Sequence, residues 1–513
     1  MKKLRRIGLL TLLSASLSLT GCFFDFGYLK PEDIEKSQVT LTYKDYVENN
    51  IYDIDSTPCE GNPKILVFHI WFTDSNLYIK ANEKEQVRSD IEDAYFGSNT
   101  DTGWRSVKTY YEELSNNKIH LTGVVTDWYT CSESSRQYYN IKTGQAKTNQ
   151  LVTTVVDWYR EQSGDTTMTS FDSDHNGYLD GVMLIYGSPD YGALYNDNAS
   201  NMWAYCFWLQ TGLRNKNKPN PNAFFWASYD FMYGKESTIG SYHSGDTRFA
   251  KIDTHTFIHE MGHMFGLEDY YDYSGKYVPA GGFSMQDYNV GCHDPYSATA
   301  LGWTNVLAPT DSCVLELKSF QSSREVILLN NRFTGTPFDE YLLLELYTPD
   351  GLNEFDSHHM YKSSYPMGAS NVGIRLWHVD ARLLACLEED DDMVIKYITN
   401  EMTNQYRYTH AMSNTYYLKD ADSNAYVTPL GEEYANYNIL QLIKNSTYET
   451  YKSSSLMANY FLFRTGDKFN IKNYSKQFVG GTKFNNGEGI KWSFEVKSIN
   501  SDAATIKLEK SII

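Results

Sequence analysis

The apolar positions of this chain follow two different periods. Lys64–Thr73 (KILVFHIWFT) is a nearly unbroken apolar run of strand length, the pattern of a buried strand. Lys84–Phe96 and Ser106–Leu114 read as helices, and Lys118–Val125 reads as a second strand. Leu151, Val152, Val155, Val156 and Tyr159 recur every three or four residues, which predicts an amphipathic helix, and GVMLIY at Gly181–Tyr186 predicts a short strand. Strands alternating with helices predict a first α/β or α+β domain over residues 62–305. After Trp303 the pattern becomes strand-like, as in Glu340–Glu345, Gly373–His378 and Lys491–Val496. A mainly β region over 306–513, sandwich-like, is expected there, which makes the whole chain α+β. Within it the acidic run Glu388–Asp392 reads as a solvated loop.

The first residues have the form of an export signal. Lys2, Lys3, Arg5 and Arg6 precede the apolar run Ile7–Leu19, which is shorter than the roughly 20 residues of a bilayer span. The run ends Leu19-Thr20-Gly21-Cys22, which resembles the lipobox of bacterial lipoproteins. The expectation is a signal peptide over 1–21, a diacylglycerol on Cys22, and a polar tether and lead-in over 22–61. The protein is then exported and held at the cell membrane or cell surface, and it touches the membrane only through that lipid.

Composition narrows the partners. With 64 acidic against 45 basic side chains the formal charge is −19, which argues against nucleic acid as the main partner. The 42 tyrosines fit large amphipathic cores, or a surface that binds protein or sugar. Beyond Cys22, six cysteines remain without C-x₂-C spacing, so structural thiols or disulfides are expected.

The chemistry concentrates in HEMGHMFGLED, residues 259–269. On a helix His259 and His263 share one face and can hold one zinc ion. Glu260 is placed to act on a water without being a ligand. Gly266 lets the chain leave the helix, and Asp269 returns as a third ligand, leaving a fourth position open. A separate calcium candidate is Asp172-Ser173-Asp174-His175-Asn176-Gly177-Tyr178-Leu179-Asp180. It places oxygen ligands at Asp172, Asp174, Asn176 and Asp180, with Gly177 at the turn; the alternative is an ordinary Asp/Asn/Gly turn.

Gly281-Gly282-Phe283-Ser284-Met285 follows and resembles the Met-turn of the metzincin metallopeptidases, which makes Met285 a floor beneath the ligands. HEMGHMFGLEDYYDY, GGFSMQDYN and HDPYSATALGW together resemble the immune inhibitor A family of secreted bacterial metallopeptidases. The segments KILVFHIWFTDS and GIRLWHVDAR resemble that family more weakly. The resemblance implies a metzincin-like catalytic domain with a twisted mixed sheet and an active-site helix, zinc-dependent endopeptidase activity on protein substrates, and bound calcium. Tyr288, three residues after Met285, is an expected oxyanion donor or a packing residue. His255, one turn before His259, reads as a surface histidine. The rival function is a surface lipoprotein whose β region binds host protein or glycan, with proteolysis secondary.

Overall fold

The computed structural model describes residues 55–190, 201–233, 252–331, 333, 335–361, 365–389, 392–397, 407–410, 414 and 436–511. The signal segment and Cys22 lie outside these residues.

The run at Lys64 forms β1 (Lys64–Trp71), an inner strand of a five-stranded sheet. Its partners are β2 (Thr122–Thr130), β3 (Val182–Tyr186), β4 (Tyr205–Trp208) and β5 (Ala223–Ser228), in the order β2-β1-β3-β5-β4. Three pairings are parallel and the edge strand β4 is antiparallel to β5, so the sheet is mixed. Four helices pack on it: α1 (Lys84–Phe96), α2 (Val107–Leu114), α3 (Ile141–Ser163) and α4 (His255–Met264). The strands alternate between two cores. Ile65, Val67, Met183, Ile185 and Phe225 join α1, α2 and α4, while Leu66, Phe68, Leu184, Phe224 and Trp226 join the apolar stripe of α3.

β2 starts later than its apolar pattern suggests. Residues just before it pair only through a single bridge, Gly61 with Ile119, and the ladder with β1 opens at Thr122. As an edge strand β2 leaves much of its length half-exposed, so its apolar run stops before the strand does. Residues 55–59, counted with the polar lead-in by sequence, are buried against the first core instead. The Thr57 N–H donates to the Met264 carbonyl at 2.8 Å, and the Trp303 indole donates to the Cys59 carbonyl at 2.7 Å.

The second half contributes β6 (Asn305–Leu307), β7 (Cys313–Lys318), β8 (Glu325–Leu329), β9 (Glu340–Tyr347), β10 (Gly373–Asp380), β11 (Leu383–Glu389), β12 (Asp392–Tyr397), β13 (Arg407–His410), β14 (Leu440–Ile443), β15 (Lys468–Phe469), β16 (Trp492–Ile499) and β17 (Ala503–Lys510). A second sheet runs β14-β10-β9-β8-β6 and a third runs β15-β16-β17-β7. The second sheet is buried on both faces. Leu343, Trp377 and Val379 join the first core with α1, α2 and α4, and Leu342, Leu344 and Leu376 share a core with Leu315, Phe494 and Ile506 of the third sheet. That is why EYLLLELY reads as continuous, whereas β16 and β17 alternate with solvent.

A further expectation needs correction. In the acidic run, Glu388, Glu389 and Asp392 belong to the paired strands β11 and β12 rather than to a loop, with Glu389 paired to Asp392. Asp390 and Asp391 lie outside the described residues. Of the two readings for the cysteines, thiols hold among the described side chains: Cys59, Cys131, Cys206, Cys292 and Cys313 form no disulfide. Among the described residues no helix is long and apolar enough to cross a membrane.

Candidate metal centre

α4 carries both motif histidines. Its apolar face, Phe257, Ile258, Met261 and Met264, is buried in the first core, which fixes the rotation of the helix and presents His259 and His263 together. Gly262 allows close approach to the segment after Ser284: a Cβ there would lie 2.2 Å from Gln286 Oε1. The helix ends as its spacing suggests. The Gly266 N–H bonds the His263 carbonyl at 2.9 Å, the Leu267 N–H bonds the Gly262 carbonyl at 3.1 Å, and Gly266 takes φ 98°. The reversal carries Asp269 back to the imidazoles.

The three side chains converge tightly. The two Nε2 atoms are 3.2 Å apart, and Asp269 Oδ1 lies 3.0 Å from His259 Nε2 and 3.2 Å from His263 Nε2. The opposite ring nitrogens are held by backbone: His259 Nδ1 donates to the Met285 carbonyl at 2.7 Å and His263 Nδ1 to the Leu267 carbonyl at 2.8 Å. A carbonyl only accepts, so the protons sit on Nδ1 and both Nε2 atoms present lone pairs. Three acceptors at this spacing repel unless positive charge lies among them. Tetrahedral zinc about 2.0–2.1 Å from each ligand separates its ligand atoms by roughly 3.3 Å, close to all three observed edges. The donor set fits the metal.

Electrostatics point the same way. Burial opposes protonation of His263, yet the Asp269 carboxylate pushes its pKa up to about 10. Burial opposes ionisation of Asp269, yet His263 and His259 hold its carboxyl far below the ordinary range. The cluster therefore retains a positive charge, which a cation can supply in place of a proton.

Glu260 is only 6 % exposed and has no hydrogen-bond partner among the described residues. Burial raises its pKa, against the pull of His263 and His259. Met285 is fully buried, and its visible service to the cluster is the carbonyl that orients His259. Gln286 Oε1 accepts from His293 Nε2 at 3.0 Å, and the other nitrogen of His293 meets the Tyr110 hydroxyl at 2.8 Å, so His293 supports the segment rather than joining the donors. Tyr288 is not brought to the cluster. It packs edge-on against Tyr365, and its hydroxyl has no hydrogen-bond partner among the described residues.

Two phenols that sequence reasoning passed over do touch the site. Tyr271 Oη donates to Asp269 Oδ2 at 3.1 Å, and Tyr273 Oη donates to the same oxygen. His255 is no surface residue either. Its ring stacks between Trp104 and Tyr361, with centroids at 4.3 and 4.0 Å, and its nitrogens meet Asp253 at 2.8 Å and Asp356 at 3.2 Å. Burial works against its charge, but Asp356 and Asp253 raise its pKa to about 9.

The acidic loop is a second convergence: oxygens of Asp172, Asp174 and Asp180 lie within 4.8 Å of one another. Asn176 is turned otherwise. Its Oδ1 accepts from the Tyr178 N–H at 2.8 Å, and its Nδ2 donates to Asp55 and Asp174. Burial raises the Asp180 pKa to about 7, although its oxygens accept from the N–H groups of Lys64 and Ser173.

Residues 60–205 match the family model described as immune inhibitor A peptidase M6, catalytic domain. Among curated proteins, none matches the chain. The match supports the immune inhibitor A-like resemblance and a metallopeptidase, hence an enzyme that hydrolyses peptide bonds. The matched segment spans β1 to β3 and the acidic loop and ends at the first residue of β4, while α4 lies outside it; packing of α4 against β4 and β5 joins the two in one sheet-and-helix unit.

Proposed function

We propose that this protein is an exported zinc metalloendopeptidase of metzincin-like architecture that cleaves internal peptide bonds in extracellular proteins. The observation that carries the reading is the inward-facing set of three acceptors, His259 Nε2, His263 Nε2 and Asp269 Oδ1. Zinc, when bound there, supplies Lewis acidity toward the scissile carbonyl and the attacking water. Glu260 takes a proton from that water and returns it to the departing amine; burial makes it a stronger base than an exposed glutamate. The Met285 segment holds His259 in the tautomer that leaves Nε2 free.

The same reading places a structural calcium ion on Asp172, Asp174 and Asp180, the lipid anchor on Cys22, and a sandwich-like C-terminal region of the second and third sheets. The rival role for that region, a separate binder, has less support. Arg375 on β10 donates to the Phe283 carbonyl at 3.1 Å, and the Met457 N–H donates to the Gly281 carbonyl at 2.7 Å, so this region supports the segment beside the cluster.

The test is a peptide library incubated with the full chain, with and without a zinc chelator. Internal cuts that vanish with chelator and return with zinc support the proposal; cleavage indifferent to the chelator refutes it.

A further inference from the structure

The three donor atoms are oriented unequally. His259 and His263 stand on a regular helix, and each has its second nitrogen held by a backbone carbonyl. Asp269 stands on a loop beyond Gly266, where no helix fixes its side chain. Its second oxygen, Oδ2, is taken by two phenols instead, Tyr271 and Tyr273, at two and four residues along the chain. Asp272 makes that return possible. Its carboxylate accepts from the N–H groups of Ser274, Lys276 and Tyr277, closing a tight turn that folds Tyr273 back over Asp269. Tyr270 between them is fully buried against Tyr296, so its ring serves the core and leaves its neighbours to face the cluster.

We infer that Tyr271 and Tyr273 form a clasp that positions Asp269 as a one-oxygen ligand for zinc, an inference that rests on the metal-centre reading above. Two O–H donors occupy the lone pairs of Oδ2, so Oδ1 alone faces the imidazoles. That discourages two-oxygen chelation and keeps a coordination position open for substrate. It also restrains the rotation of a loop-borne carboxylate before metal arrives, as outer hydrogen bonds to metal ligands do. The clasp is a phenol pair acting through Asp269; neither tyrosine is assigned to the reacting atoms.

The test compares the full chain with Tyr271→Phe, Tyr273→Phe and the double variant, each losing only hydroxyl groups. Zinc affinity is measured by competition with a chromophoric chelator, thermal unfolding is followed without metal, and the visible spectrum is recorded with cobalt(II). Tyr273 is 41 % exposed, so its substitution carries little folding risk. The clasp predicts a zinc affinity lowered roughly 10- to 100-fold in the double variant, an intermediate loss in each single variant, altered cobalt bands, and unchanged metal-free unfolding. A double variant with affinity within twofold of the parent and the same cobalt bands overturns the clasp while leaving the metal centre intact. A parent chain that binds no zinc overturns both.

Discussion

The two clusters of candidate ligands differ in what satisfies them. At His259, His263 and Asp269 every non-ligating atom is occupied by protein, and the three remaining acceptors face only one another. In the acidic loop the carboxylates already accept backbone hydrogen bonds: Asp172 from Asn176 and Gly177, Asp180 from Ser173 and Lys64. The first cluster is organised to hold a positive charge, which a proton or a metal cation can supply. The second is a turn that its own backbone hydrogen bonds hold together, to which the proposed calcium would only add. Removing metal should therefore abolish chemistry at one and only loosen the other.

The largest effect expected is from Glu260→Gln, which should keep zinc while turnover falls by about 10²- to 10⁴-fold. Asp174→Ala, in contrast, should leave turnover of the folded enzyme close to the parent's. Equal losses from both substitutions in a peptide-cleavage assay would erase the distinction between the clusters. Next, calcium at about 100 times its dissociation constant should stabilise the parent by roughly 2.7 kcal/mol, and Asp174→Ala should lack that gain. Denaturant midpoints with and without calcium measure it, and a gain of the same size in the variant would remove the loop from the account.

A third site sharpens the comparison because its charge is built in. His255 is protonated between Asp253 and Asp356, with Tyr361 stacked on its ring and donating to Asp253. Its folded pKa of about 9 lies above the unfolded value near 6.5. The folded state thus binds this proton more tightly, and its contribution is complete below about pH 6.5 and is lost as pH rises through about 9. That contribution is on the order of 3 kcal/mol. His255→Gln should flatten the fall in the denaturant midpoint across that window, and an unchanged slope would argue against the charged form. The smallest effect belongs to Tyr288→Phe. With no contact to the donors, it should change kcat/KM by less than about threefold; a loss near 100-fold would restore Tyr288 as an oxyanion donor.

How much was legible in the sequence depended on how local the cause was. α4 and its ligand spacing follow from helix geometry within a single turn, and Gly266 marks the exit by its positive φ. β1, α1 and β3 were readable because both-face burial and helical period leave strong patterns. Tyr271 and Tyr273 were not, since only the turn closed by Asp272 brings them to Asp269; an Asp ligand followed by tyrosines two and four residues later is the signal that was present. His255 was misread because its partners Asp356 and Tyr361 come from more than a hundred residues away.

The central claim is that His259, His263 and Asp269 form a single zinc site, and metal content tests it most directly. The purified full chain, equilibrated with zinc at neutral pH and desalted, should carry one zinc per chain above any occupancy of the acidic loop. His263→Ala should carry none at the site, and Asp174→Ala should carry the parent's amount. Zinc retained in full by His263→Ala, or absent from the parent, would contradict the account.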